Sequence, residues 1–391
     1  MNNLVFFDDT IDIFSTFIVF VLGGCLFNIL APSFKATKTR AFGLYIWHSI
    51  FCLVFATLSL SNPADSTTYY ILSKGSLVNF ELGTKATVYI TAVFSNYLAL
   101  SYLGVFLVFN ILGSIGLLAV DASLRHVTEN KSSFVKVLVL IIVLLPSMNF
   151  WTGGIGKDSI AYMSTGLILW ASIDFKRNFS LIFIAFVCMF VVRPHIAGVM
   201  VFALAFSLLV IKISPFKRIF FLISSLIGVI VITPIVVQYI GADQVTSIEL
   251  IEDFANKRQS YNQKGGGSID ISSMSIFHKI FTYNFRPLPY EAHNLLSFFA
   301  SIDNLILFLF FFLSLISVLF SKGKRFSLGL SHPKENRVFL LIFSLGIMII
   351  SSYMTSNLGI SVRQKWMYMP ILLYFMFLFM NVKWSDKSKI N

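Results

Sequence analysis

The chain has 391 residues, of which 57% are apolar or aromatic and 12% charged, with 43 Phe and a mean hydropathy of +0.81. A soluble domain, in which about 25% of residues are charged, is excluded, and the composition reads as an all-α, polytopic integral membrane protein. The net charge of +12 comes with no nucleic-acid motif, and Cys25, Cys52 and Cys188 all lie inside apolar runs, which argues against a disulfide framework or a thiolate metal site.

A membrane-spanning helix needs about 20 mostly apolar residues. About eleven segments qualify, near 11–31, 42–60, 98–120, 134–151, 158–173, 178–192, 195–211, 219–240, 301–320, 338–356 and 366–382, within a single transmembrane domain over 1–391. The first begins with Asp8, Asp9 and Asp12 and has no small-residue cleavage site, so it reads as a retained helix and not as a removed leader. Threading eleven helices alternately puts Lys35, Lys38, Arg40, Arg125, Lys131, Lys136, Lys176, Arg177, Lys212, Lys217, Arg218, Lys322, Lys324, Arg325, Lys334, Arg337, Lys383, Lys387 and Lys389 on one side. By the positive-inside rule that side is cytoplasmic, with the N-terminus outside and the C-terminus inside. Two long segments, 61–97 and 241–300, then fall outside, the second forming a large loop between the eighth and ninth helices. Outer basic residues run against the rule, and a bound anion is one reason for them.

Five outer stretches carry chemistry. Asn62-Pro63-Ala64-Asp65 follows the second helix; Asp65 suits a general base or a divalent-cation ligand, and its plain alternative is an N-cap or turn residue. Residues 146–158, from Pro146 through Gly153, Gly154 and Gly156 to Lys157 and Asp158, read as a Gly-rich turn opening into a helix. Amide donors and the Lys157 charge make it a phosphate cradle, or else a tight hairpin with Asp158 near its N-cap. Arg193-Pro194-His195 leaves a guanidinium at the membrane boundary, where ionisable groups are costly and functional by default, the alternative being an Arg that snorkels to headgroups. The loop 241–300 carries Lys257, Arg258 and Gly265-Gly266-Gly267, then Phe285-Arg286-Pro287 through Tyr290, Glu291 and His293, which reads as a hinged lid beside a stiff wall. Arg363 with Lys365 is a second phosphate contact or a headgroup anchor.

This pattern of helices, the large outer loop, the Phe-rich composition and the scattered outer Arg and His residues resemble the O-antigen polymerase family of bacterial surface polysaccharide synthesis, and the stretches Leu145-Pro146 to Asp158, Arg193-Pro194 and Phe285-Arg286-Pro287 to Glu291 also look like membrane proteins of exopolysaccharide clusters. The resemblance covers most of the chain and rests largely on topology. It implies a glycosyltransferase of the bacterial inner membrane, joining undecaprenyl-diphosphate-linked repeat units into O-antigen or exopolysaccharide at the periplasmic face. It also implies membrane lipid around the helices, a flippase and a chain-length regulator as pathway partners, and no cofactor, with a divalent cation left open. On that reading Lys157, Arg193, Arg286 and Arg363 surround the diphosphate, and Asp65, His195 or Glu291 is the base. Gly265, Gly266, Gly267, Tyr290 and His293 form the substrate loop. The alternative is a C-type membrane glycosyltransferase using a polyprenyl-phosphate sugar, although its acidic residue directly follows helix one and Asp65 follows helix two. A transporter predicts inverted repeats, and none is evident.

Overall fold

The computed structural model describes residues 4–75, 79–210, 215–241, 248–263, 266–319 and 334–380. Gly265, Lys212, Lys264, Lys322, Lys324, Arg325, Lys383, Lys387 and Lys389 lie outside the described residues, as do the side chains of Lys217 and Arg218. The described chain is helical. Its α-helices are α1 (Thr10–Leu30), α2 (Lys38–Ser61), α3 (Asp65–Ser73), α4 (Thr84–Ala92), α5 (Tyr102–Thr128), α6 (Ser133–Val143), α7 (Pro146–Thr152), α8 (Lys157–Ile173) and α9 (Phe179–Val192). They continue as α10 (Pro194–Val210), α11 (Pro215–Ile240), α12 (Ile248–Asn262), α13 (Ile276–Phe285), α14 (Leu295–Leu319), α15 (Arg337–Met354), α16 (Leu358–Gln364) and α17 (Met369–Phe379). An isolated antiparallel bridge joins Ser268 to Asn357.

Five of these helices, α1, α2, α5, α14 and α15, are long and apolar enough to cross a membrane, and shorter apolar helices such as α9, α10 and α17 accompany them. The stretch expected as one helix over 134–151 is instead two, α6 and α7, bent by 40°. Pro146 explains the break, because it lacks an N–H and biases the residue before it away from helix. Counted as one span, the pair makes six. The long segments 61–97 and 241–300 are not bare loops: they contain α3 and α4, and α12 and α13. Local caps fix several starts, with Thr37 accepting from Arg40 N, Ser101 from Gly104 N and Asn336 from Phe339 N.

The centre of the bundle is α5 against α8, both buried along most of their length. Small residues set their spacing. A Cβ on Gly166 would lie 2.5 Å from Gly116 O, and one on Gly116 would lie 2.8 Å from Met163 Cα, so the two backbones touch directly. Gly166→Ala is therefore expected to lower stability by about 1–3 kcal/mol, the usual range for overpacking. Thermal unfolding of the purified protein checks this, with Gly43→Ala as control, since nothing lies within 4 Å of a Cβ there; equal midpoints for the two variants would disprove the close approach. Polar groups inside the bundle pair with one another: His48 Nδ1 lies 2.6 Å from Asn110 Oδ1 and its Nε2 3.0 Å from Thr152 Oγ1, while Asn110 Nδ2 donates to Ser49 Oγ at 2.8 Å.

Several of the short basic connections gather at one end of the bundle. There Asp121, fully buried, accepts from Arg40 at 2.6 and 2.9 Å and from Arg125 at 2.8 Å, and Arg125 also donates to the Lys35 and Phe34 carbonyls. Lys131 Nζ closes the C-terminal end of α17 by donating to the Leu378 and Met380 carbonyls at 3.0 and 2.7 Å. Asp65, Lys157, Arg193 and Arg363 meet at the opposite end.

Candidate functional site

Four stretches remote in sequence converge there. Asp65 is the first residue of α3, Lys157 and Asp158 open α8, Arg193 fills the break between α9 and α10, and Arg363 sits in the last turn of α16. They line one narrow cleft with Phe55, Ser66, Tyr69 and Trp151. Local sequence accounts for each placement. Pro194 begins α10 immediately after α9 ends, and the Arg193 carbonyl accepts from Ile196 and Ala197 N–H at 3.0 and 3.1 Å, so the guanidinium is held at the junction with 6% exposure. A Cβ on Gly154 would lie 2.5 Å from the Phe55 ring, so only glycine lets the turn pack against α2. Gly156 supplies no side-chain cap, and the first residues of α8, whose amides a helix leaves without intrahelical partners, line the cleft.

Three cations face two carboxylates. Arg363 Nη1 donates to Asp65 Oδ2 at 2.8 Å, Arg193 Nη2 donates to Asp158 Oδ1, and Arg363 Nε stands 3.8 Å from Asp158 Oδ2. Lys157 Nζ donates to Thr84 Oγ1 at 3.0 Å. Ala64, and not Asp65, is the N-cap of α3, whereas Asp158 lies near the N-cap of α8, in its first turn, as the plain alternative has it; both carboxylates also turn to arginines. Arg193 Nε and Arg363 Nε are buried without a hydrogen-bond acceptor among the described residues, as is Ser66 Oγ. Unsatisfied buried donors are uncommon and costly, so these N–H groups are suited to a ligand oxygen. The free volume is about 30 Å³, room for little more than a water, so a larger anion enters only by displacing the carboxylates.

Lys157 precedes the apolar stretch of α8. Burial, then the charge of Arg193, pushes its ammonium down to about 8. The charged form is present below that value, so affinity for an anion in the cleft is expected to fall as pH rises through about 8. Titrating geranyl diphosphate at pH 6.5 and 9 measures it, and Lys157→Arg is expected to remove that dependence; an unchanged slope in the variant would show that Lys157 does not face the anion. Burial, with Asp65 and Asp158 nearby, pushes the Tyr69 phenol above its ordinary range, which keeps it a donor.

A second space adjoins the cleft, sharing Trp151 and reaching Val362 beside Arg363. It measures about 400 Å³ and is lined by Gly266, Gly267, Glu291, His293, Asn294 and Asn357 among others. Most of the predicted substrate-loop positions line it, whereas Tyr290 points away at 82% exposure and Gly265 lies outside the described residues. The glycines are not a free hinge as far as they are described: Leu358 N donates to Gly267 O at 2.7 Å, and a Cβ on Gly267 would lie 3.0 Å from Asn357 Oδ1 and Gly359 N. Close approach is the reason for glycine at 267.

Two further expectations shift. Arg286 is expected at the diphosphate and Glu291 among the bases, yet they pair with each other: Arg286 Nε donates to Glu291 Oε1 at 2.8 Å, and Leu288 N donates to Oε2 at 2.7 Å. Burial would raise the Glu291 carboxyl, but the Arg286 and Leu288 hydrogen bonds outweigh it and hold the group below its ordinary value, which suits a wall better than a base. His195 is half-buried, stacked on Tyr239 with ring centroids 5.9 Å apart, and its Nδ1 has no hydrogen-bond partner among the described residues.

Sequence reading also missed a cluster deeper in the bundle. Lys365, expected beside Arg363 at the surface, is fully buried: its Nζ donates to Asn284 O at 3.2 Å and to Asn304 Oδ1. Asn304 Nδ2 donates to Pro287 O at 3.0 Å, and Tyr368 OH donates to Asn284 Oδ1 at 2.7 Å. Asp303, next along α14, accepts from Ser147 N at 2.6 Å. A lone acid in the otherwise uncharged run 295–319 was the signal available in the sequence.

Comparison with family models, with curated proteins and with solved structures finds no match.

Proposed function

We propose that this chain is a membrane glycosyltransferase that joins undecaprenyl-diphosphate-linked repeat units into a surface polysaccharide. On this reading it works at the periplasmic face of the bacterial inner membrane, with eleven spans, the N-terminus outside and a flippase and chain-length regulator as pathway partners. The observation that carries the reading is the convergence of Lys157, Arg193 and Arg363 with Asp65 in one cleft that shares Trp151 with a 400 Å³ cavity. Joining two units breaks the bond between an anomeric carbon and a diphosphate oxygen, so negative charge develops on the leaving group while an incoming hydroxyl sheds its proton.

Arginine forks match phosphate oxygens, and the buried Nε–H groups of Arg193 and Arg363 add donors to them. A diphosphate that takes Arg363 releases Asp65 from its ion pair, leaving a carboxylate beside the reacting carbon to accept the hydroxyl proton. The leaving diphosphate keeps the bonding electron pair, its charge held by Arg193, Arg363, Lys157 and the α8 amides. Trp151 lies between cleft and cavity, where its ring offers a face for the acceptor sugar.

The test is a deletion strain. Loss of the ladder of long chains, with single intact repeat units still attached to the surface lipid, is the outcome this reading requires. An altered unit with its ladder intact would instead assign the chain to the C-type transferases that build the unit. Reporters after Asn391 and at Gly266 test the orientation: the first is expected to be cytoplasmic and the second external.

A further inference from the structure

The geometry points to an extended binding groove for an uncharged oligosaccharide, formed by α12 and the strip Ser268–Ser272 and sharing Ser268 with the 400 Å³ cavity. Its ligand is the glycan of the polymerase reading, on which the inference rests for biological context, while the groove's chemistry stands by itself. On α12, Asn256, Gln259 and Ser260, with Gln263 just past the helix end, recur at the spacing that puts side chains on one helical face. Asn256, Ser260 and Gln263 are exposed and only Gln259 is buried, so this is the solvent side of α12, which is ordinarily polar. It presents amides and a hydroxyl, and between it and Ser268, Asp270 and Ser272 lies an open space of about 650 Å³.

The groove is built, not a loose gap. Gln259 is 5% exposed and donates from Nε2 to Tyr353 O at 2.9 Å, and Ser356 Oγ donates to Gln259 O, which ties α12 to the end of α15. The strip is stitched to the same segment: Ile269 N donates to Ser356 O at 2.9 Å, and Ser268 bridges Asn357. Ser268 also lines the 400 Å³ cavity, and that cavity shares Trp151 with the cleft. Trp151 and Ser268 thus each border two of the three spaces.

The lining selects the ligand class. Amide and hydroxyl side chains both donate and accept, which matches the alternating donors and acceptors of sugar hydroxyls. Among the described residues the sole charged lining residue, Asp270, turns its Oδ1 to the N–H and hydroxyl of Ser272, at 2.9 and 2.7 Å. Arg258 is directed off the groove, donating to Ile240 O and lying over the Phe254 ring. Among the described lining residues an acidic glycan would find no countercharge, and an aliphatic chain would find Ile269 among amides and hydroxyls.

The experiment uses the full chain in detergent micelles, with saturation-transfer NMR on maltohexaose, triacetylchitotriose and tri-galacturonate, and a parallel titration of geranyl diphosphate. The neutral probes are expected to bind and tri-galacturonate not. Asn256→Ala with Gln263→Ala, both exposed side chains, is expected to weaken the neutral probes about tenfold through two lost hydrogen bonds. Ser260→Trp, which fills the groove, is expected to abolish their binding, and geranyl diphosphate affinity is expected to hold in both variants. No saturation transfer from either neutral probe, unchanged affinity in both variants, or equal binding of tri-galacturonate overturns the groove. Neutral probes that bind while geranyl diphosphate does not would support the groove and overturn the cleft reading instead.

Discussion

Arg193→Ala is expected to weaken geranyl diphosphate binding about hundredfold, because it removes a charge-assisted fork of the kind that binds phosphate oxygens most strongly. Long-chain product is expected to vanish with it. Arg193→Lys keeps the charge but loses the planar fork and the buried Nε–H, so most of the loss is expected to remain. The ion pair with Asp158 complicates the reading, since removing one partner of a buried pair also costs stability, up to about 3–5 kcal/mol when nothing else compensates. Arg363 stands 3.8 Å from the same carboxylate and offsets part of that cost. The double variant Arg193→Ala, Asp158→Ala separates the effects: its unfolding midpoint is expected to recover while binding does not. Full binding by the double variant would assign Arg193 to structure alone.

Asn304→Leu is expected to cost about 3 kcal/mol, the penalty for leaving a buried charged donor and a buried carbonyl unsatisfied. The donor is the Lys365 ammonium and the carbonyl is Pro287 O. The sign of the pH dependence follows from Lys365 itself. Burial pushes it down to about 7, against the pull of the Asp303 carboxylate. The unfolded chain then binds more protons than the folded one from pH 7 up to the ordinary lysine range, and stability rises with pH across that window. Without its Asn304 acceptor the folded-state value falls further, so the deficit of the variant is expected to be largest below pH 7 and to shrink above it. Thermal unfolding at pH 6 and pH 8.5 measures both, and a deficit that grows with pH would show that Lys365 is not charged in the folded protein.

The two variants bear on one arrangement. Arg363 and Lys365 are two residues apart, yet one guanidinium lines the cleft and the other side chain is buried against α13 and α14. Arg363 lies in the last turn of α16 and Lys365 opens the turn Lys365–Met367 that follows, and the buried ammonium anchors the segment that holds Arg363 in place. Asn304→Leu is therefore also expected to loosen the cleft.

The helical, membrane-embedded character was legible in composition, because runs of apolar residues of span length have no other stable setting. The clustering of Arg40, Arg125 and Lys131 at the end of the bundle away from Arg193 was legible too, since alternate threading of apolar helices fixes which connections share an end. Asp65, Lys157, Arg193 and Arg363 could each be singled out, because a charge beside an apolar run is conspicuous. What a one-dimensional pattern does not contain is pairing. Whether Arg286 meets a ligand or Glu291, whether Asp158 at the start of α8 also neutralises Arg193, and whether Lys365 faces out or in depend on how helices far apart in sequence rotate against each other. Contacts such as that of Gly116 with Gly166 set that rotation, and only the tertiary structure decided it, because the energy of a buried charge is determined by the few groups within hydrogen-bond reach and not by its neighbours along the chain.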